Sequence, residues 1–102
     1  MEQTLITQYS NSSFMPTRKE LKLMGRELRP MVNIGKAGLT LEVVKQVRVV
    51  LQRKKLIKIK FLRTYTDAEP DKTTRMLAKE LATQTNGLLI DVVGLTVVLS
   101  RK

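Results

Sequence analysis

Apolar residues along the chain recur with two periods, and the changes of period divide it into elements. Thr17-Arg-Lys-Glu20 is a capping-box pattern and opens a helix. In that helix Leu21, Met24 and Leu28 share one face at helical spacing, with Arg18, Lys22, Arg26 and Arg29 in a stripe beside it. Pro30 ends it, because the residue before a proline is pushed out of the helical region. Met31 to Ile34 reads as a short strand. After Thr40 the helical period returns: Val43, Val44, Val47, Val50 and Leu51 make a broad apolar face that runs to about Arg53. Valines are poor helix formers, but their period here is near 3.6 residues, not 2. Arg53-Lys54-Lys55 then set cations at the negative end of the helix dipole.

Leu56 to Phe61 alternates, with Ile57, Ile59 and Phe61 inward and Lys58 and Lys60 outward, as in a half-buried strand. Residues 63–70 read as a polar loop. A third helix is predicted from about Asp71 to Thr85, with Thr73, Leu77 and Leu81 as its spine and Asn86-Gly87 as its stop. Leu88 to Val93 and Leu95 to Arg101 read as a hairpin about Gly94. The order is α-β-α-β-α-β-β. Two β-α-β crossovers and a terminal hairpin imply an α+β fold, a two-layer α/β sandwich whose helices cover one face of a mixed four-stranded sheet. Residues 1–16 are rich in Thr, Gln, Ser and Asn, lack a period, and read as a flexible tail holding Tyr9 and Phe14. Residues 17–102 read as one domain, which is all that 102 residues allow.

Charge adds a partner to this picture. Lys and Arg number 19 against 9 acids, a net charge of +10. Residues 18–60 hold 13 of the basic side chains and 3 of the acids, and so carry the whole excess. That balance points to a polyanion, nucleic acid first. The chain has no histidine and no cysteine, which removes the commonest general base, thiolate metal sites and disulfides. Asp67, Glu69 and Asp71 form its one acidic cluster, too sparse a donor set for a metal site. An enzyme is not expected, nor a cofactor, nor a bound metal. No apolar run approaches the ~20 residues of a membrane span, and the N-terminus lacks the plan of a secretory signal. A cytoplasmic monomer with no membrane partner is expected.

The most chemically pointed segment joins the first strand to the second helix. Gly35 and Gly38 bracket Lys36 and Ala37 in a GxxG turn. Glycines let backbone N–H groups approach a phosphate without a Cβ in the way. Thr40 caps a helix whose N-terminus carries partial positive charge, and Lys36 adds a full one. An anion fits such a turn. Further candidates for nucleic-acid contact are Arg18, Lys22, Arg26 and Arg29 on the first helix, Lys45 and Arg48 on the second, and Lys58 and Lys60 on the strand that follows it. Tyr65, in the predicted loop, is a candidate for stacking on a base. Phe61 is assigned to the core. With so few aromatics, binding is expected to lean on backbone charge and to be steeply salt-dependent.

Several strings together resemble the CRM domain, named for chloroplast RNA splicing and ribosome maturation. They are Leu28-x-Pro30, Val32-x-Ile34-Gly35-Lys36-x-Gly38-Leu39-Thr40, Leu56-Ile57-Lys58, Val93-Gly94 and Val98-Leu99-x-Arg101. The likeness covers about residues 17–102 and is to single-domain prokaryotic members of the YhbY type. It implies a fold similar to the C-terminal domain of translation initiation factor 3, and RNA as the partner. Members of the family are associated with precursors of the large ribosomal subunit or with intron splicing. Their GxxG loop resembles that of KH domains, which clamps the nucleic-acid backbone, and this carries over to Gly35, Lys36, Ala37 and Gly38. Ser100 departs from the family, which usually has Tyr in a Leu-Tyr-Arg ending. The expected function is thus RNA binding in ribosome assembly or RNA folding. The alternative is a chromatin-type protein of similar fold that coats DNA, against which the Ile-Gly-Lys-x-Gly-Leu-Thr string argues.

Overall fold

The structure is a computed structural model that describes residues 16–102. The expected tail, with Tyr9 and Phe14, lies outside the described residues apart from Pro16. The elements are α1 (Arg18–Arg26), β1 (Pro30–Ile34), α2 (Leu41–Lys54), β2 (Leu56–Phe61), α3 (Arg63–Ala68), α4 (Thr74–Thr85), β3 (Gly87–Val93) and β4 (Thr96–Arg101). The strands form one mixed sheet in the order β1-β2-β4-β3. β1 and β2 are parallel, and the other two pairings are antiparallel.

Capping side chains set the helix starts. Thr17 and Glu20 form the full capping box at α1, with bonds of 2.9 and 3.1 Å. Thr40 accepts the Val43 N–H at α2, and Thr73 accepts the Met76 N–H at α4, both at 3.1 Å. Asn86 ends α4 in the left-handed region, where a short polar side chain is tolerated. On one face of the sheet, Ile57, Ile59, Phe61, Val97 and Leu99 meet Val47 and Leu51 of α2 and Leu77, Ala78 and Leu81 of α4. On the other, Leu56, Ile90 and Val98 meet Leu21 and Leu28 beside α1.

The α+β class and the mixed four-stranded sheet are as expected, and four details correct the reading. First, α1 covers part of the second face, so the two-layer sandwich gains a partial third layer. Second, the polar stretch after β2 is not all loop: residues 63–68 form α3. Third, Thr73 is the N-cap of α4 and not part of its spine, so the helix starts three residues later than Asp71. Fourth, α1 stops at Arg26, and the residues turned to the sheet are Leu21 and Gly25 on the helix and Leu28 just beyond it, while Met24 is 49% exposed. The spacing of Met24 is helical, but the closest approach to the sheet falls at its neighbour Gly25, where the backbone has room only for a hydrogen.

That close approach is at Gly25. A Cβ on it would lie 2.8 and 2.9 Å from the two methyl carbons of Val98, and valine is too stiff at χ1 to swing clear. Gly25→Val should therefore lower stability by about 2 kcal/mol through overpacking. Adding Val98→Ala should recover part of the loss, as read by chemical denaturation. A Gly25→Val protein as stable as the parent would mean that α1 does not sit this close to the sheet.

Candidate nucleic-acid interface

Because β1 and β2 are parallel, both end at the same edge of the sheet. Ile34 pairs with Phe61 there, and the Leu62 N–H donates to the Ile34 carbonyl at 2.9 Å. The glycine turn leaves β1 at this edge while α3 leaves β2 beside it. Gly35 faces Leu62 and Thr64, and Gly38 faces the ring of Tyr65. The Gly38 N–H donates to the Gly35 carbonyl at 2.9 Å and closes a four-residue turn, with exposed Lys36 and Ala37 at its apex. The Thr40 N–H then donates to the Gly38 carbonyl at 3.0 Å, and Thr40 starts α2. The unpaired amides of the first turn of α2 lie next to the apex.

The two glycines differ in what they supply. Gly38 has φ +73°, a conformation costly to any residue with a side chain, and a Cβ there would stand 3.3 Å from Tyr65 Cε1. Gly35 has no such φ, and a Cβ there would meet Leu62 and Thr64 at 3.6 and 3.7 Å, ordinary van der Waals contact. Gly38 is thus needed for the shape of the turn, whereas Gly35 leaves a surface open to an approaching ligand.

The candidate cations divide into two groups. Lys60 pairs with Asn33, one rung below the root of the turn, and Lys58 pairs with Pro30, next to exposed Arg29. Lys58 shares a cleft with Arg26. Lys36, Lys60, Lys58, Arg29 and Arg26 therefore run from the turn down the α1 side of the sheet. Lys22 is half-buried on α1. Lys45 and Arg48 lie on α2, across the other face. Two candidates are already held by carbonyls: Arg18 donates to Leu89 O at 2.7 Å, and Arg48 donates to Gln84 O at 3.0 Å. Among the described residues, ion pairs are found where Lys72 meets Glu69 at 3.5 Å and Glu80 at 2.7 Å.

Tyr65 is not the exposed stacking residue expected of a loop. It is 4% exposed, and its ring meets Phe61 edge-to-face at 5.2 Å. Burial raises its pKa, Glu80 and Glu69 raise it further, and Lys72 partly opposes them. Phe61 is core, as read. Ser100 pairs with Leu56, at the opposite end of β2 from the turn, so the missing family tyrosine is remote from Lys36. Sequence reasoning passed over Arg63, which is exposed and lies between the two residues that touch Gly35. The signal was there: parallel pairing sets whatever follows β2 beside whatever follows β1. It also passed over Glu42, an exposed acid in the first turn of α2 that offsets part of the positive field. Among the described residues, no group of three or more His, Cys, Asp or Glu is placed to hold a metal, and no helix is long and apolar enough to cross a membrane.

Comparison with known proteins places this geometry in a family. The family model described as the CRS1 / YhbY (CRM) domain matches residues 16–101. Among solved structures, the chain is similar to the solution structure of the hypothetical protein SAV1595 of Staphylococcus aureus, described as a candidate RNA-binding protein. The two are 27% identical with a TM-score of 0.66, and the match covers 83% of each chain.

Two predictions come from the turn and its support. Gly38→Ala should lose about 1–2 kcal/mol of stability, while Gly35→Ala should stay within about 0.5 kcal/mol of the parent; denaturant titration separates them. Tyr65 has a raised folded pKa, so its contribution is fully present below its ordinary value of 10.0 and is lost as pH rises through the folded pKa. The stability of the parent should fall more steeply above pH 10 than that of Tyr65→Phe, and parallel profiles would count against this role of the hydroxyl.

Proposed function

The chain belongs to the CRS1 / YhbY (CRM) domain family, and on that premise we propose that it is an RNA-binding protein that grips the RNA backbone at its glycine turn during assembly of the large ribosomal subunit. One observation carries the grip: the Gly35–Gly38 turn presents Lys36 and Ala37 outward at the N-terminus of α2. Three sources of positive potential meet there. They are the apex amides, the first-turn amides of a 14-residue helix, and the charges of Lys36 and Arg63. A phosphate fits that field, and the hydrogen on Gly35 lets it come close. The α1-side cations then extend the contact along the strand. RNA as partner is what the family and the S. aureus neighbour support. The ribosomal target rests on the family resemblance, whereas the cytoplasmic setting and a monomeric state are part of the proposal carried over from the reading of the sequence.

Catalysis has no part in this proposal. The mechanism is positional: charge holds the backbone in one arrangement and leaves the bases free to be read elsewhere.

The test compares large-subunit ribosomal RNA fragments with matched duplex DNA across a salt series. The variant is Gly35→Asp with Lys36→Glu, chosen because Gly35 has room for a side chain and the fold should persist. RNA should bind more tightly than DNA, and the variant should lose at least tenfold. Lys36→Glu alone should reduce the slope of log K against log salt by about 0.7–0.9, the loss of one phosphate contact. Equal binding to DNA, unaffected by the variant, would instead favour a protein that coats duplexes.

A further inference from the structure

On the α1 side of the sheet lies a cleft of about 260 Å³, lined by Arg26, Lys58, Asp91, Val93, Thr96 and Val98. Its one acid is an aspartate within a seven-residue strand, where that residue type is disfavoured. Register explains how it gets there. Leu89 pairs with Leu99 and packs on the main core. Strict alternation would return Asp91 to that same apolar face. A β-bulge between Leu89 and Asp91 pairs Asp91 with Val98 instead. Ile90 also packs on the α1 side, against Leu56 and Val98. The bulge thus moves a carboxylate out of the core and into the cleft, which is what bulges beside binding sites do.

The carboxylate is under-used where it sits. Its Oδ1 accepts the Val92 N–H at 3.0 Å. Among the described residues no cation pairs with it, although Arg26 and Lys58 line the same cleft. Val98 pairs with Lys58 on one side and Asp91 on the other. The two charges therefore stand two strand spacings apart, about 10 Å at the backbone. Between them Val98 is 4% exposed and largely covered by Gly25 of α1, so the open apolar surface of the cleft is mainly that of Val93, which is 55% exposed. The Thr96 hydroxyl donates to the Val93 carbonyl at 2.7 Å, so toward the cleft it offers lone pairs. The cleft thus combines acceptors from Asp91 and Thr96, cations from Arg26 and Lys58, and an apolar patch at Val93.

We infer that this cleft receives an unpaired guanine base of the bound RNA. The inference rests on the RNA reading above. A phosphate is the wrong ligand, because Asp91 repels it. Guanine sets two N–H donors, N1 and N2, side by side for a carboxylate, with O6 next to them for a cation. Uracil has one N–H donor, and adenine and cytosine have a single amino group each. A base in a duplex hides that edge, so the RNA must be single-stranded here. No aromatic lines the cleft, so selection comes from the match of donors to acceptors and not from stacking.

Short single-stranded RNAs that differ at one central position, G, inosine, A, C or U, test this with the full chain at fixed salt. Inosine lacks only the N2 amine. The parent protein should bind the G strand about tenfold more tightly than the inosine strand. Asp91→Ala should bind all five within about twofold of one another. It should bind the A, C and U strands at least as well as the parent does, because a negative charge has left a basic surface. Asp91→Asn keeps an acceptor for the Val92 N–H, protects the fold if alanine does not, and should cut the guanine preference to about threefold or less. Equal binding of G and inosine strands by the parent overturns the inference and leaves RNA binding standing. Failure to bind any of the five, with the ribosomal fragments failing as well, overturns the RNA reading itself.

Discussion

Strands β1 and β2 run parallel, and the bond from Leu62 N–H to the Ile34 carbonyl, at 2.9 Å, fixes where two segments leave the sheet. A hairpin would have turned the chain back on itself at that edge. A parallel pair instead delivers two new elements side by side, the glycine turn and α3. Their contact is supported from below. Phe61, fully buried, meets Tyr65 edge-to-face, and Tyr65 lies under Gly38. The shape of an exposed loop is thereby tied to the middle of the core.

The same economy governs the cations. Arg18 and Arg48 each donate to a backbone carbonyl, at Leu89 next to the bulge and at Gln84 in the last turn of α4. These arginines stitch elements together while remaining exposed. Lys36, Lys60 and Arg63 are exposed. Exposed cations therefore differ in freedom of position: the two arginines are anchored to the backbone, and Lys36 stands at the apex of the turn.

Much of this was legible in the sequence because it depends on local rules. The Thr17 box, the Thr40 cap, the alternation from Leu56 to Phe61 and the Asn86-Gly87 stop each act within a few residues. What escaped depends on tertiary contact. Residues 63–68 hold a single buried apolar side chain, Tyr65, so no helical period announces α3. Gly25 outranks Met24 on the inner face of α1 because Val98, more than seventy residues away, leaves no room for a Cβ. The glycine turn could be found from its spacing, but its neighbour Arg63 could be found only through the strand pairing. The place of Asp91 depends on a bulge, which alternation cannot foresee. In the hairpin, Leu95 joins Gly94 in the turn and accepts the Phe61 N–H at 2.7 Å, a bond across strands that no local pattern encodes.

Helix α1 has nine residues, one of them fully buried, and it rests on the sheet through a smaller cluster than the one under α2 and α4. Isolated helices of that length are marginal, so its hold comes from Leu21, Gly25 and Leu28. Its amides will exchange with solvent hydrogen through local opening, at a lower free energy than those of β2. Arg26 and the wall of the Asp91 cleft leave with it, while the glycine turn, braced by Tyr65, stays in place. The glycine turn and the Asp91 cleft therefore rest on different supports, the turn on Tyr65 and the main core, the cleft in part on α1 and its smaller cluster.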